Sequence, residues 1–190
     1  GTNPTPEQLT SDSTYQDYWT GIIERYKSNP NIWINPINEP IGTAWDQWES
    51  ISNYQYNLMR SKGWEGIVVI DLPQWAQNIN IGTDRLVAFV EGKYNIVIGF
   101  HNYDMGNQTN AVTAAQAAGV PILIGEYGET LSGNNHDSQV WVSDNAYTLG
   151  IGAVAWWGAG NREDDYVLRQ QVGSTWYDTS VPLNEFGQRL

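Results

Sequence analysis

The stretch Ile32-Trp33-Ile34-Asn35-Pro36-Ile37-Asn38-Glu39-Pro40 decides the fold that the sequence predicts. The apolar residues before Asn38 are typical of a strand that is covered on both faces, as in a parallel sheet. Pro40 ends the strand because proline has no N–H to give to a neighbouring strand. Glu39 is therefore predicted at the C-terminal tip of a buried strand, where its side chain can point into a cleft.

A second stretch, Val120-Pro121-Ile122-Leu123-Ile124-Gly125-Glu126-Tyr127-Gly128, has the same pattern. It is an apolar strand that ends in a single glutamate. Two carboxyl groups at the ends of parallel strands suit glycoside hydrolysis, in which one protonates the leaving oxygen and the other attacks or guides water. A glutamate at a strand end is more often a solvated loop residue. The uninterrupted apolar strand before Glu39 and before Glu126 favours the catalytic interpretation.

The remaining chain alternates between helical and strand patterns. Its helices are predicted to begin at Ser13, with a capping box to Gln16, and near Thr43. The other predicted elements are strands over 66–72, 95–101 and 151–157 and helices over 82–91, 109–118 and 137–148, with loops over 1–12 and after 157 and a short C-terminal helix. Strict βα alternation predicts a parallel sheet with right-handed crossovers.

The spacing of the two glutamates fits one large barrel. They lie 87 residues apart, and an eight-unit (β/α)8 barrel averages about 31 residues per unit. They are therefore predicted three βα units apart. Because no linker interrupts the alternation, residues 1–190 are predicted to be a single domain.

Composition excludes several classes of function. The 190 residues carry a net charge of −12, which repels nucleic acid and anionic membranes but not a neutral polysaccharide. No apolar run approaches the roughly 18 residues of a membrane span. With no cysteine and only His101 and His136, no metal and no cofactor is predicted. The 10 tryptophans exceed what a core needs, so some are predicted to line a sugar cleft.

Four motifs together resemble glycoside hydrolase family 5, a retaining (β/α)8 family that includes cellulases and β-mannanases. They are Asn38-Glu39-Pro40 for strand four, His101-Asn102-Tyr103 for strand six, Gly125-Glu126-Tyr127-Gly128 for strand seven, and Ala155-Trp156-Trp157 through Gly160-Asn161 for strand eight. The resemblance covers nearly the whole chain. At Asp71–Trp75 and at the final Gly-Asn the chain looks closer to the mannanase branch.

The resemblance implies a role for each residue of the site. It makes Glu39 the general acid/base and Glu126 the nucleophile. It also makes residues 1–190 a single catalytic domain. The implied substrate-binding residues are Asn38 for a sugar 2-hydroxyl, His101 for the same sugar, Tyr103 as a donor to Glu126, Trp156 as a platform at the scission site, and Trp75 on the leaving-group side. A structural histidine, a strand-end tyrosine and a core tryptophan are the alternatives for His101, Tyr103 and Trp156.

The chain also departs from the family. It matches about the last five βα units of a barrel and lacks the first three, which supply an arginine near the nucleophile and a histidine near the acid/base. A fragment, a barrel completed by another chain and a natural short form all remain open. The start Gly1-Thr2-Asn3-Pro4 suggests an internal cut.

The resulting prediction is a secreted, retaining endo-β-1,4-glycanase that hydrolyses plant cell-wall polysaccharide, either β-mannan or cellulose/β-glucan. The alternative is a carbohydrate-binding or inactive half-barrel that needs a partner chain to complete its site. The open barrel would expose the edges of the Glu39 and Trp156 strands. Self-association, or pairing with a completing N-terminal segment, is therefore predicted. No nucleic-acid or membrane partner is predicted.

Overall fold

The computed structural model describes residues 6–41, 44–103, 105–128 and 136–156. Thr43, Trp157, the Gly160-Asn161 pair and the predicted C-terminal helix lie outside these residues. After three helices, strands and helices alternate along the described chain, with a 3₁₀ turn at Ile79–Ile81. They are α1 Pro6–Ser11, α2 Ser13–Tyr26, α3 Trp45–Ser61, β1 Val68–Asp71, α4 Thr83–Val90, β2 Ile96–Asn102, α5 Thr109–Ala117, β3 Ile122–Tyr127, α6 His136–Leu149 and β4 Gly152–Ala155.

The four strands form one sheet in the order β1-β2-β3-β4. β1 runs parallel to β2, with a register from Val68 opposite Ile96 to Asp71 opposite Gly99. β3 runs parallel to β4. The predicted parallel α/β architecture is confirmed, and each of these strands lies inside or within one residue of its predicted span.

The predicted strand before Glu39 is wrong in its extent. In the described structure it is an isolated parallel bridge between Ile34 and Val68. The Ile34 N–H donates to the Ile67 carbonyl at 3.0 Å, and the Ile34 carbonyl accepts from the Val69 N–H at 2.8 Å. The ladder stops there because Pro36 has no N–H and the chain bends from Pro36 onwards. Trp33 is 50% exposed, so one face of this segment is open.

The N-terminal residues also differ from prediction. Residues 6–11, expected as loop, form α1, where Pro6 occupies the first position that favours proline. The cap of α2 is Asp12, not Ser13. Its carboxylate accepts the Tyr15 N–H at 3.2 Å, and its extended backbone has the geometry of a cap residue.

The chain divides into two compact units. The first comprises residues 1–99 and 115–121, and the second comprises residues 100–114 and 122–190. In the first unit α3 packs on β1, and its core includes Ile23, Trp48, Ile51, Met59, Val68, Ile70, Leu86 and Phe89. In the second unit α6 packs on β3 and β4 through its buried residues Trp141 and Val142. None of the described helices is both long and apolar enough to cross a membrane.

Candidate active site

Glu39 lies in the first unit, five residues after the Ile34 bridge. Its backbone is left-handed, with φ of +50°, a conformation that non-glycine residues rarely adopt. The Glu39 N–H donates to the Asp71 carboxylate at 3.2 Å. The Glu39 side chain is half-buried and Asn38 beside it is exposed. Both residues therefore sit at a sharp change of chain direction.

Trp75 lies in an unusual turn of the same unit. Gln74, Trp75 and Ala76 are all left-handed, with φ of 59°, 57° and 58°. Each such residue costs roughly 1–2 kcal/mol, and strained backbone of this kind clusters at functional sites. The Trp75 N–H donates to the Pro40 carbonyl at 3.1 Å, which ties the turn to the residue after Glu39. The Trp75 side chain is 49% exposed, so part of its surface is available for stacking.

Glu126 lies in the second unit, at an irregularity in β3. Ile124 pairs with Ala153 and Tyr127 pairs with Ala155. Two residues of β3, Gly125 and Glu126, therefore lie opposite one residue of β4. Such a bulge twists a strand and redirects a side chain, and bulges are frequent beside active sites.

Two residues from the end of β2 contact the Glu126 carboxylate. The Tyr103 hydroxyl donates to Glu126 Oε2 at 2.8 Å. The His101 Nδ1 lies 3.6 Å from the same oxygen, at ion-pair distance when the imidazole is protonated. The His101 and Tyr103 rings meet edge to face, with centroids 6.4 Å apart. His101 and Tyr103 are both buried, so Glu126 is packed against protein on this side.

Trp156 follows β4 directly and is 45% exposed. The backbone N–H of Trp156 donates to the Tyr127 carbonyl at 2.8 Å, which anchors the Trp156 backbone beside the residue that follows Glu126. Burial raises the pKa of the Tyr127 phenol, so this neighbour of the carboxylate stays neutral. The second unit thus groups His101, Tyr103 and Glu126, and the first unit holds Asn38, Glu39 and Trp75.

Sequence reasoning did not assign a role to Asp71. This residue ends β1 and is 3% exposed, and its carboxylate accepts the Glu39 N–H. The available signal was an acidic residue at the end of an apolar strand, the same pattern that marks Glu39 and Glu126. A carboxylate that accepts a backbone N–H has no sequence motif of its own, so only the fold reveals the contact between Asp71 and Glu39.

The family model described as cellulase (glycosyl hydrolase family 5) matches residues 1–162. The chain belongs to glycosyl hydrolase family 5. A mannan endo-1,4-beta-mannosidase from Streptomyces lividans is 28% identical over 156 residues, which is 76% of this chain and 40% of that protein. Endoglucanase A from Butyrivibrio fibrisolvens is 25% identical over 126 residues, which is 65% of this chain and 28% of that protein. The chain thus spans less than half of these curated relatives.

The fold is shared with solved catalytic domains. The catalytic domain of a mannanase from Streptomyces sp. SirexAA-E aligns with a TM-score of 0.74 and 24% identity, over 98% of this chain and 58% of that one. The fold class is therefore the (β/α)8-barrel type, of which this chain carries a part, as predicted.

Proposed function

We propose that the protein is a retaining endo-β-1,4-glycanase that hydrolyses plant cell-wall polysaccharide. The observation that carries the proposal is the Glu126 carboxylate, which lies next to the last residue of a parallel strand in a family 5 chain and accepts the Tyr103 hydroxyl at 2.8 Å. A hydrogen bond from a neutral donor to a carboxylate favours its ionised form and fixes its direction. A nucleophile needs both.

The proposed reaction uses both glutamates in two steps. Glu39 protonates the glycosidic oxygen while the Glu126 carboxylate attacks the anomeric carbon, which breaks the bond to the leaving sugar and forms a covalent glycosyl-enzyme. Glu39 then removes a proton from water, and the water oxygen displaces Glu126. This mechanism requires the two carboxyl groups about 5–5.5 Å apart.

The remaining proposed residues bind the sugar chain. Asn38 and His101 would hydrogen-bond hydroxyl groups of the sugar that is cleaved. Trp156 would stack beneath that sugar, and Trp75 would stack on the leaving-group side. Exposed indole rings suit this role because their apolar faces match the C–H faces of a sugar.

The proposed substrates are β-mannan and cellulose or another β-glucan. The two relatives named above support both, since one is named for mannan and the other is an endoglucanase. We propose that the protein acts outside the cell, where such polymers occur.

Hydrolysis of purified β-mannan and of carboxymethyl cellulose tests the proposal. Glu126→Ala should lower kcat by about a thousandfold or more, as expected when a nucleophile is removed, and Glu39→Ala should also lower it strongly. Glu24→Ala is a matched control, because Glu24 is exposed on α2 and belongs to neither motif. A Glu126→Ala protein that turns over substrate at the parent rate would show that the assignment of the nucleophile is wrong.

The alternative function is carbohydrate binding without turnover. The half-exposed rings of Trp75 and Trp156 favour it, since they could bind a glycan in the absence of catalysis. Retardation of the protein in gels that contain mannan or glucan, with no reducing sugar released, would select this alternative.

A further inference from the structure

The backbone of Glu39 is held in a conformation that it would not adopt alone. A left-handed non-glycine residue costs roughly 1–2 kcal/mol, and Glu39 has a φ of +50°. Its N–H points to the carboxylate of Asp71, whose Oδ2 accepts at 3.2 Å. Hydrogen bonds between a backbone N–H and an ionised carboxylate are about twice as strong as neutral ones. This contact therefore favours the left-handed form of Glu39.

Asp71 is itself built into the core of the first unit. It is 3% exposed, and its carbonyl accepts the buried Trp48 indole N–H at 2.7 Å. Gly99 lies opposite it on β2. A Cβ on Gly99 would lie 2.4 Å from Asp71 Oδ1 and 3.1 Å from Val69 Cγ1. The neighbouring strand thus needs a glycine at this position to leave room for the carboxylate.

We propose that Asp71 is a positioning residue for Glu39, and that Gly99 provides the space in which it acts. The inference rests on the proposed acid/base role of Glu39. A general acid works only within hydrogen-bond reach of the leaving oxygen. A misplacement of about 1 Å can cost about a hundredfold in rate. By fixing the Glu39 peptide, Asp71 fixes the point from which that side chain delivers its proton.

The dependence of rate on the leaving group separates positioning from general damage to the fold. In a retaining hydrolase, kcat/KM reports the first step, which is formation of the glycosyl-enzyme. This step needs the general acid when the leaving group is poor. It does not need the acid when the leaving group is 2,4-dinitrophenolate. The probes are aryl β-cellobiosides and β-mannobiosides, each with a poor leaving group and with 2,4-dinitrophenolate. They are tested on the intact natural protein. Asp71→Ala should lose about a hundredfold in kcat/KM on the poor leaving group and little on the activated one.

Two further variants keep the test decisive if Asp71→Ala fails to fold. Asp71→Asn keeps an oxygen that can accept the Glu39 N–H and should retain most activity on both substrates. Gly99→Ala leaves both acidic residues in place but displaces the Asp71 carboxylate, so it should show the same selective loss. Gly21→Ala is the control, because an added Cβ there meets nothing within 4 Å.

Glu39→Ala, measured in parallel, separates the acid role of Glu39 from the positioning role of Asp71. If Glu39→Ala loses activity equally on both leaving groups, the proposed acid role fails. If Glu39→Ala is selective but Asp71→Ala and Gly99→Ala lose activity equally on both substrates, or not at all, the positioning role of Asp71 is overturned while the proposed function stands.

Discussion

Tyr103 contacts the proposed nucleophile directly. Its hydroxyl lies 2.8 Å from Glu126 Oε2, and its ring is 7% exposed. A hydrogen bond to a charged group contributes roughly 1.5–3 kcal/mol. Since about 1.4 kcal/mol corresponds to a factor of ten in rate, the hydroxyl matters for turnover even though it takes no part in bond breaking.

Tyr103→Phe should therefore lower kcat/KM by about tenfold to a hundredfold, which is the kinetic equivalent of losing that hydrogen bond. The ring stays in place, so thermal unfolding should change little. Tyr147→Phe is the matched control, since Tyr147 is 96% exposed on α6. Equal kcat/KM for Tyr103→Phe and the parent would show that the contact has no part in catalysis.

At the level of single residues, the sequence motifs predicted which side chains belong to the candidate site. Tyr103 and Glu126 lie 23 residues apart in the sequence, and the structure brings the Tyr103 hydroxyl to the Glu126 carboxylate. Asp71 could not be assigned in this way, because its role depends on the left-handed Glu39 backbone and on the missing side chain at Gly99. The left-handed backbone of Glu39 and the pairing of Gly99 with Asp71 cannot be read from the sequence.

Arg60 connects the beginnings of two strands in the first unit. Its guanidinium donates to the carbonyls of Trp64 and Gly66 before β1 and of Tyr94 and Asn95 before β2, at 2.6–3.0 Å. It also lies 4.7 Å and 4.5 Å from the ring centroids of Tyr56 and Tyr94. One planar cation thus satisfies four carbonyls, which a lysine cannot do.

Arg60→Ala should lower the free energy of unfolding by about 2–4 kcal/mol, because several charge-assisted hydrogen bonds are lost together. Arg60→Lys should recover less than half of that loss. Urea denaturation monitored by tryptophan fluorescence measures both, with Arg25→Ala on the exposed face of α2 as control. A loss for Arg60→Ala no larger than that for Arg25→Ala would contradict this role.

Strand prediction worked where apolar runs pair along their length and failed where proline intervenes. The runs before Asp71, His101 and Glu126 became β1, β2 and β3. The run that begins at Ile32 is also largely apolar but makes only one bridge, since Pro36 interrupts its ladder. The bulge at Glu126 was not predicted either, because it depends on the register with β4.

For the whole molecule, the proposed self-association depends on the edges of the sheet. Among the described residues, β4 is last in the sheet order, and its residues Gly152, Ala153 and Val154 are exposed. Among the described residues, the other end of the sheet is extended only by the Ile34 bridge. An exposed edge with apolar side chains favours pairing with another strand. Neither edge segment carries a lysine that would oppose it.

The 190-residue chain is expected to self-associate at micromolar concentration through these edges. Val154→Lys should shift it towards the monomer, because a charge on an edge strand opposes strand pairing. Tyr147→Lys is the control for added charge, since Tyr147 is fully accessible on α6. Sedimentation velocity measures both, and a monodisperse parent species at 21.3 kDa would contradict the prediction.

Glu126 is the proposed nucleophile, and a trapped glycosyl-enzyme tests that role most directly. A 2-deoxy-2-fluoro β-cellobioside or β-mannobioside with a dinitrophenyl leaving group would form the glycosyl-enzyme quickly and release it slowly. Mass spectrometry of the digested protein should then find one glycosyl group on the peptide that contains Glu126, and none in Glu126→Ala. An active protein that carries the label on another residue, or forms no adduct while it inverts the anomeric configuration of its product, would contradict the account.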